Sequence, residues 1–245
     1  QSFSAFAGNT NFIDFDLLVK DGILNSADFE NVDFGSDPEN IDYGLIFNVR
    51  RPILEKVVKN FLKSEAIYEF KFFVEKNEAW LEPFAEYMAI KEHFNLVSWE
   101  NWDKDIRYRD EAALKKYRLM LADEMNFHRI TQFLFFKQWN ELKLYANKNN
   151  VQIIGDMPIY VAGDSVEMWS TPQYFKVDSQ KRPTVIAGTP PDNFSDDGQF
   201  WGNPIYDWEY MKNEAKPYSW WIRRMAHMFE VYDIVRIDHF RAFEA

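Results

Sequence analysis

The segment IVRIDHFRAFEA, residues 234–245, sets Ile234, Arg236 and Asp238 on one face of a strand, because side chains alternate along extended backbone. On that reading Val235 and Ile237 pack outward while Arg236 and Asp238 point together into a cleft or a barrel interior. A carboxylate beside an arginine stays ionised at neutral pH, since the nearby cation favours the charged form. Asp238 is therefore suited to act as a nucleophile or charge stabiliser and unsuited to donate a proton; a structural ion pair is the competing explanation. A second aspartate, Asp156, follows the apolar run that opens VQIIGDMPIYV, residues 151–161. With Asp192, Phe194, Phe200, Trp201 and Tyr206 it supplies the mixture that carbohydrate sites use: carboxylates for the anomeric centre and aromatic faces for the C–H surfaces of sugar rings.

Elements must bring these residues together. FLFFKQWNELKLYANKNN, residues 133–150, is an amphipathic helix with an Asn-rich stop, and it leads directly into the apolar strand at 151–161. A second such unit follows, a helix over about 218–229 feeding the strand at 234–238. Helix, short loop and buried strand, repeated, make an α/β architecture. Asp156 and Asp238 then stand at the C-terminal ends of parallel strands, where barrel enzymes keep their chemistry. Residues 170–208 between the two units are rich in Pro, Gly, Asn and Asp and read as a long functional loop. Upstream, residues 12–31 hold one or two brief helices. Residues 43–147 are helical, with no glycine beyond Gly44 and only Pro52 and Pro83 to interrupt. The aromatic residues of that region, Phe70, Phe72, Phe73, Trp80, Phe84 and Tyr87, read as core.

The 245 residues, 47% hydrophobic, can bury a substantial core. With 39 acidic against 28 basic residues the net charge is -11, which disfavours nucleic acid and anionic membrane as partners and leaves a neutral ligand. Absence of cysteine excludes disulfides and thiolate chemistry. The four histidines, His93, His128, His227 and His239, show no metal-ligand spacing, and neither a metal nor a cofactor is expected. No apolar run matches a membrane span or a signal peptide, so the expected location is the cytoplasm.

Three stretches carry a resemblance: GDMPIYVAGDSVEMW (155–169), AGTPPDNFSDDGQFWGNPIYDW (187–208) and RIDHFR (236–241). They resemble the signature segments of the 4-α-glucanotransferases called amylomaltase or disproportionating enzyme, glycoside hydrolase family 77. FSAFAGN, residues 3–9, matches a further segment early in that family's barrel. The resemblance implies an α/β fold, part of a (β/α)8 TIM barrel with a helical insertion. It divides the chain into an early barrel segment (1–30), a helical insertion subdomain (31–130) and a barrel segment (131–245) that holds the 187–208 loop and the nucleophile strand. It implies transfer of a segment of a 1,4-α-glucan to the 4-hydroxyl of glucose or another glucan by a retaining double displacement. Asp238 would be the nucleophile and Arg236 would orient and ionise it. Asp156, His239, Asp192, Phe200, Trp201 and Asn203 would contact sugar, the last four from a mobile loop on the acceptor side. Maltooligosaccharides, amylose-type glucans and glucose are the implied partners.

Two positions depart from the family pattern, Thr10 where proline is usual and Ala242 where glycine is usual. If Ala242 needs a positive φ, its methyl costs on the order of 1 kcal/mol. The family's acid/base glutamate and a further stabilising aspartate lie beyond the nucleophile strand, and Glu244 is in the wrong motif to substitute. The expectation is therefore a fragment that carries the nucleophile without its partner and is inactive by itself. A non-catalytic α-glucan-binding module and an α-glucan hydrolase are the alternatives.

Overall fold

The structure is a computed structural model that describes residues 2–37, 39–64, 67–191, 193 and 195–243. Several of its helices start where the sequence supplies an acceptor for the free amides of a first turn. Asp14 caps α1 (Phe15–Lys20) and Asp42 caps α2 (Tyr43–Phe61), each accepting from the amide three residues on. Next come α3 (Ile67–His93), α4 (Lys104–Arg107) and α5 (Glu111–Met120). Pro52 and Pro83 lie inside α2 and α3 without ending them, against the expectation that they interrupt. Burial of their neighbours, Ile53 and Leu54 or Phe84 and Ala85, outweighs the hydrogen bond a proline removes.

The long α6 (Ala122–Lys148) extends the helix expected over 133–150 back to Ala122, and it passes unbroken through residue 130. Its early part is buried, and it joins two aromatic cores. One is built around Tyr87, Trp99, Trp169 and Tyr206, the other around Leu18, Phe61, Ile130 and Phe133. Trp80 and Tyr232 pack against both. Of the aromatics read as core, Phe70, Phe84 and Tyr87 are buried, whereas Phe72 is exposed.

After α6, Asn149 caps the helix and Asn150 takes a left-handed φ of 59°, which turns the chain into β1 (Ile154–Met157). Then follow α7 (Val166–Ser170), β2 (Ile186–Thr189), β3 (Gln199–Pro204), α8 (Trp208–Lys212), α9 (Ser219–Val231) and β4 (Ile234–Ile237). β1 and β4 pair in parallel, with Asp156 opposite Arg236. A Cβ on Gly155 would meet the Tyr232 ring at 2.1 Å, so glycine lets β1 lie this close to the end of α9. The structure is thus α/β, and among the described residues the parallel strands are two and form no closed barrel.

The reading of residues 170–208 as loop needs correction. Residues 170–208 contain an antiparallel hairpin, β2 with β3, together with isolated bridges joining Phe175 to Tyr206 and Val177 to Pro183. Ala242 has no positive φ: it sits buried in a short 3-10 turn, Phe240–Phe243, so its methyl carries no backbone strain.

Candidate active site

The site begins at the register of β1 and β4. Because Asp156 and Arg236 are Cα partners, their side chains leave the sheet on one face, and Asp238 lies two residues on along the same strand direction. Arg236 reaches both carboxylates: one guanidinium nitrogen donates to Asp156 Oδ2 and the other to Asp238 Oδ1 at 2.9 Å. The Asp238 amide donates to Met157 O at 3.2 Å and so carries the pairing one residue past β4. Immediately afterwards His239 adopts φ 56°, and the chain turns away.

The expected burial of this group is not found. Arg236 and Asp238 are each 59% exposed and Asp156 57%. β1 and β4 pair only with each other among the described residues, so the face that bears the three charges opens to solvent. The opposite face does pack: Val235 and Ile237 lie against the first core.

The hairpin places aromatic surface beside the charges. The Trp201 ring lies edge-on to His239, centroids 4.8 Å apart, and its indole N–H donates to Gln199 Oε1 at 3.0 Å. Asn203 donates from its amide nitrogen to Val161 O at 2.7 Å, which ties the hairpin to the segment after β1. Phe200 is 88% exposed and points into solvent. Asp192 and Phe194, expected on the same loop, lie outside the described residues, as does Glu244. Tyr206, counted among the sugar-facing aromatics, is fully buried instead. Its hydroxyl donates to Ile159 O at 2.7 Å and accepts from Arg224. Its role is to fix the polypeptide behind the site.

Two cavities flank this arrangement. The larger, about 700 Å³, lies between residues 4–9, α6, α9 and the end of β1, and Asp156, Tyr160 and Asn203 line it. The other, about 590 Å³, is walled by residues 186–191 with Ile205, His239, Arg241 and Tyr160. Tyr160 therefore borders both, and it is the site residue that sequence reasoning passed over. Its place four residues after Asp156 in GDMPIYV was the available signal. Burial pushes its phenol above the ordinary range, so it stays protonated at neutral pH. Among the described residues no cluster of His, Asp and Glu could hold a metal ion, and no helix is long and apolar enough to cross a membrane.

The chain as a whole has relatives among known proteins. The family profile described as 4-alpha-glucanotransferase matches residues 1–245. The chain is 56% identical over 246 residues to a 4-alpha-glucanotransferase of Streptococcus pneumoniae serotype 4, covering 100% of this chain and 48% of that protein. It is 46% identical over 246 residues to the Clostridium butyricum 4-alpha-glucanotransferase, covering 100% of this chain and 50% of that protein. The amylomaltase from Streptococcus agalactiae, solved in complex with acarbose, superposes with a TM-score of 0.94 at 53% identity, over 99% of this chain and 49% of that one. The chain thus spans about half the length of the curated relatives it matches. On these grounds the chain belongs to the 4-alpha-glucanotransferase family, glycoside hydrolase family 77.

Proposed function

We propose that the protein containing this chain is a 4-α-glucanotransferase that works by retaining double displacement. The observation that carries the reading is the Arg236 guanidinium bridging Asp156 and Asp238 at the C-terminal ends of two paired parallel strands. In this proposal Asp238 attacks the anomeric carbon of the donor as the glycosidic C–O bond breaks, and the glucan segment is held as a covalent ester. The 4-hydroxyl of an acceptor then attacks the same carbon, releasing Asp238, so two inversions give net retention. Arg236 holds both carboxylates in place, which leaves Asp156 to receive donor hydroxyls and Asp238 to face the anomeric carbon. His239 and Asn203 add sugar contacts, and Trp201 covers the acceptor side; Asp192 and Phe200 complete the proposed loop contacts.

The acid/base carboxylate, which protonates the departing glucan oxygen, takes the proton of the acceptor hydroxyl in the second step and must stand about 5 Å from the nucleophile, is proposed to come from outside this chain. The two parallel strands are proposed to belong to a (β/α)8 barrel, with the residue 31–130 region as its helical insertion. The acarbose bound by the Streptococcus agalactiae amylomaltase supports maltooligosaccharides, amylose-type glucans and glucose as substrates. The cytoplasm is the location proposed for the protein.

The full-length protein, incubated with maltotriose, is expected to yield glucose together with oligosaccharides longer than the substrate. Asp238→Asn should lower that rate by at least about 10³-fold. Binding of maltooligosaccharide without any longer product would instead favour a non-catalytic glucan-binding module, and shorter sugars alone would favour a hydrolase.

A further inference from the structure

Residues 4–9 line the larger cavity together with Asp156, and besides local bonds and the amide of Val166, which donates to Phe3 O at 2.9 Å, side chains of distant elements hold this segment. Glu167 of α7 accepts from the Ala5 amide at 2.8 Å and from the Ser4 hydroxyl at 3.3 Å, both through Oε1. Ser4 in turn accepts from the Phe6 and Ala7 amides at 3.0 and 3.3 Å. His227 of α9 donates from Nε2 to Phe6 O at 2.8 Å. Gln132 of α6 pairs twice with Gly8, accepting from its amide at 2.8 Å and donating to its carbonyl at 2.9 Å. Gly8 has to be glycine for this, because a Cβ would overlap the Phe135 ring at 2.0 Å.

We infer that Gln132, Glu167 and His227 are positioning residues that set the wall of the larger cavity, which Asp156 lines, by fixing residues 4–9. Gln132 and Glu167 are almost fully buried, so losing either removes the partners that hold the part-buried peptide groups of Ala5 and Gly8 in place. Burial pushes the His227 imidazole down, consistent with a neutral ring that donates one N–H to a carbonyl. It pushes the Glu167 carboxyl up, so an amide is a fair substitute for it. A built-in comparison exists on α6. Gln138, six residues after Gln132, grips Asp14 in the same double fashion, accepting at 2.8 Å and donating at 3.0 Å. Asp14, however, is not among the residues lining the cavity.

The inference rests on the transferase reading and is tested with the full-length protein and maltotriose. If wild type makes no glucose and longer oligosaccharides, the transferase reading fails first and independently. If it does, Gln132→Leu and Glu167→Leu are expected to raise KM by about tenfold with kcat changed by less than about threefold. Glu167→Gln should recover most of what Glu167→Leu loses, and Gln138→Leu should leave both constants unchanged. Wild-type constants in folded Gln132→Leu and Glu167→Leu would overturn the proposal, as would equal losses in Gln138→Leu. Where the leucine variants do not fold, hydrogen exchange at the Ala5 and Gly8 amides of wild type decides. Slow exchange in the free protein is expected, and exchange at the rate of an unstructured peptide overturns it.

Discussion

At the scale of single residues, the centre of the site is one arginine shared by two carboxylates. Arginine suits this because its planar fork offers donors in two directions at once, whereas a lysine is a single point charge on a flexible stem. All three side chains are more than half exposed, so solvent screens their attraction and the group contributes little to folding, about 1 kcal/mol or less. Arg236→Lys should therefore separate function from stability. Transfer activity on maltotriose is expected to fall roughly 10²-fold, while the thermal midpoint moves by no more than a few degrees. A large drop in midpoint, or undiminished activity, would contradict this account. The shared face of Arg236 and Asp238 was readable from the two-residue period of a strand. Asp156 as the third member was not readable by spacing, since it is 80 residues away and only the β1–β4 register makes it a neighbour.

At the scale of elements, the helix–strand units were visible in their apolar periodicity and Asn-rich stop, and the hairpin was hidden. β2 reads IAGT and β3 reads QFWGNP; neither alternates, each contains a glycine and β3 ends in proline, so little marks them as strands. What forms it is tertiary: Asn203 anchors to Val161, and Phe175 bridges to Tyr206. This hairpin matters because it holds Trp201 against His239, next to the proposed nucleophile. A covalent glycosyl intermediate meets water or sugar according to what covers it, and an indole at this place favours sugar. Trp201→Ala in the full-length protein is expected to raise the ratio of hydrolysis to transfer severalfold, read as new reducing ends against oligosaccharide exchange. An unchanged ratio would mean that the hairpin does not cover the intermediate.

At the scale of the whole molecule, the excess of acidic residues was plain in the composition, but composition does not say which carboxylates hold the fold together. Glu92 does. It lies on α3, accepts from both terminal nitrogens of Arg51 on α2 at 2.6 and 3.0 Å, and stands 3.2 Å from His128 on α6, so it links three helices. Arg51 also covers the Phe127 ring at 3.8 Å. Burial alone would push the Glu92 carboxyl up. The nearby His128 imidazole, and then the hydrogen bonds and charge of Arg51, outweigh burial and hold it down to about 2. A carboxylate whose folded value lies below its unfolded one stabilises the fold above the unfolded value of about 4.5 and loses that contribution as pH falls toward 2. The full difference amounts to about 3 kcal/mol at most. Chemical denaturation of the full-length protein at pH steps from 6 down to about 2.5 should thus show wild type losing stability faster than Glu92→Gln. The variant is expected to start lower at neutral pH and to converge on wild type at the acid end. Parallel curves for the two proteins would show that the acid sensitivity of this heavily anionic molecule resides in other carboxylates.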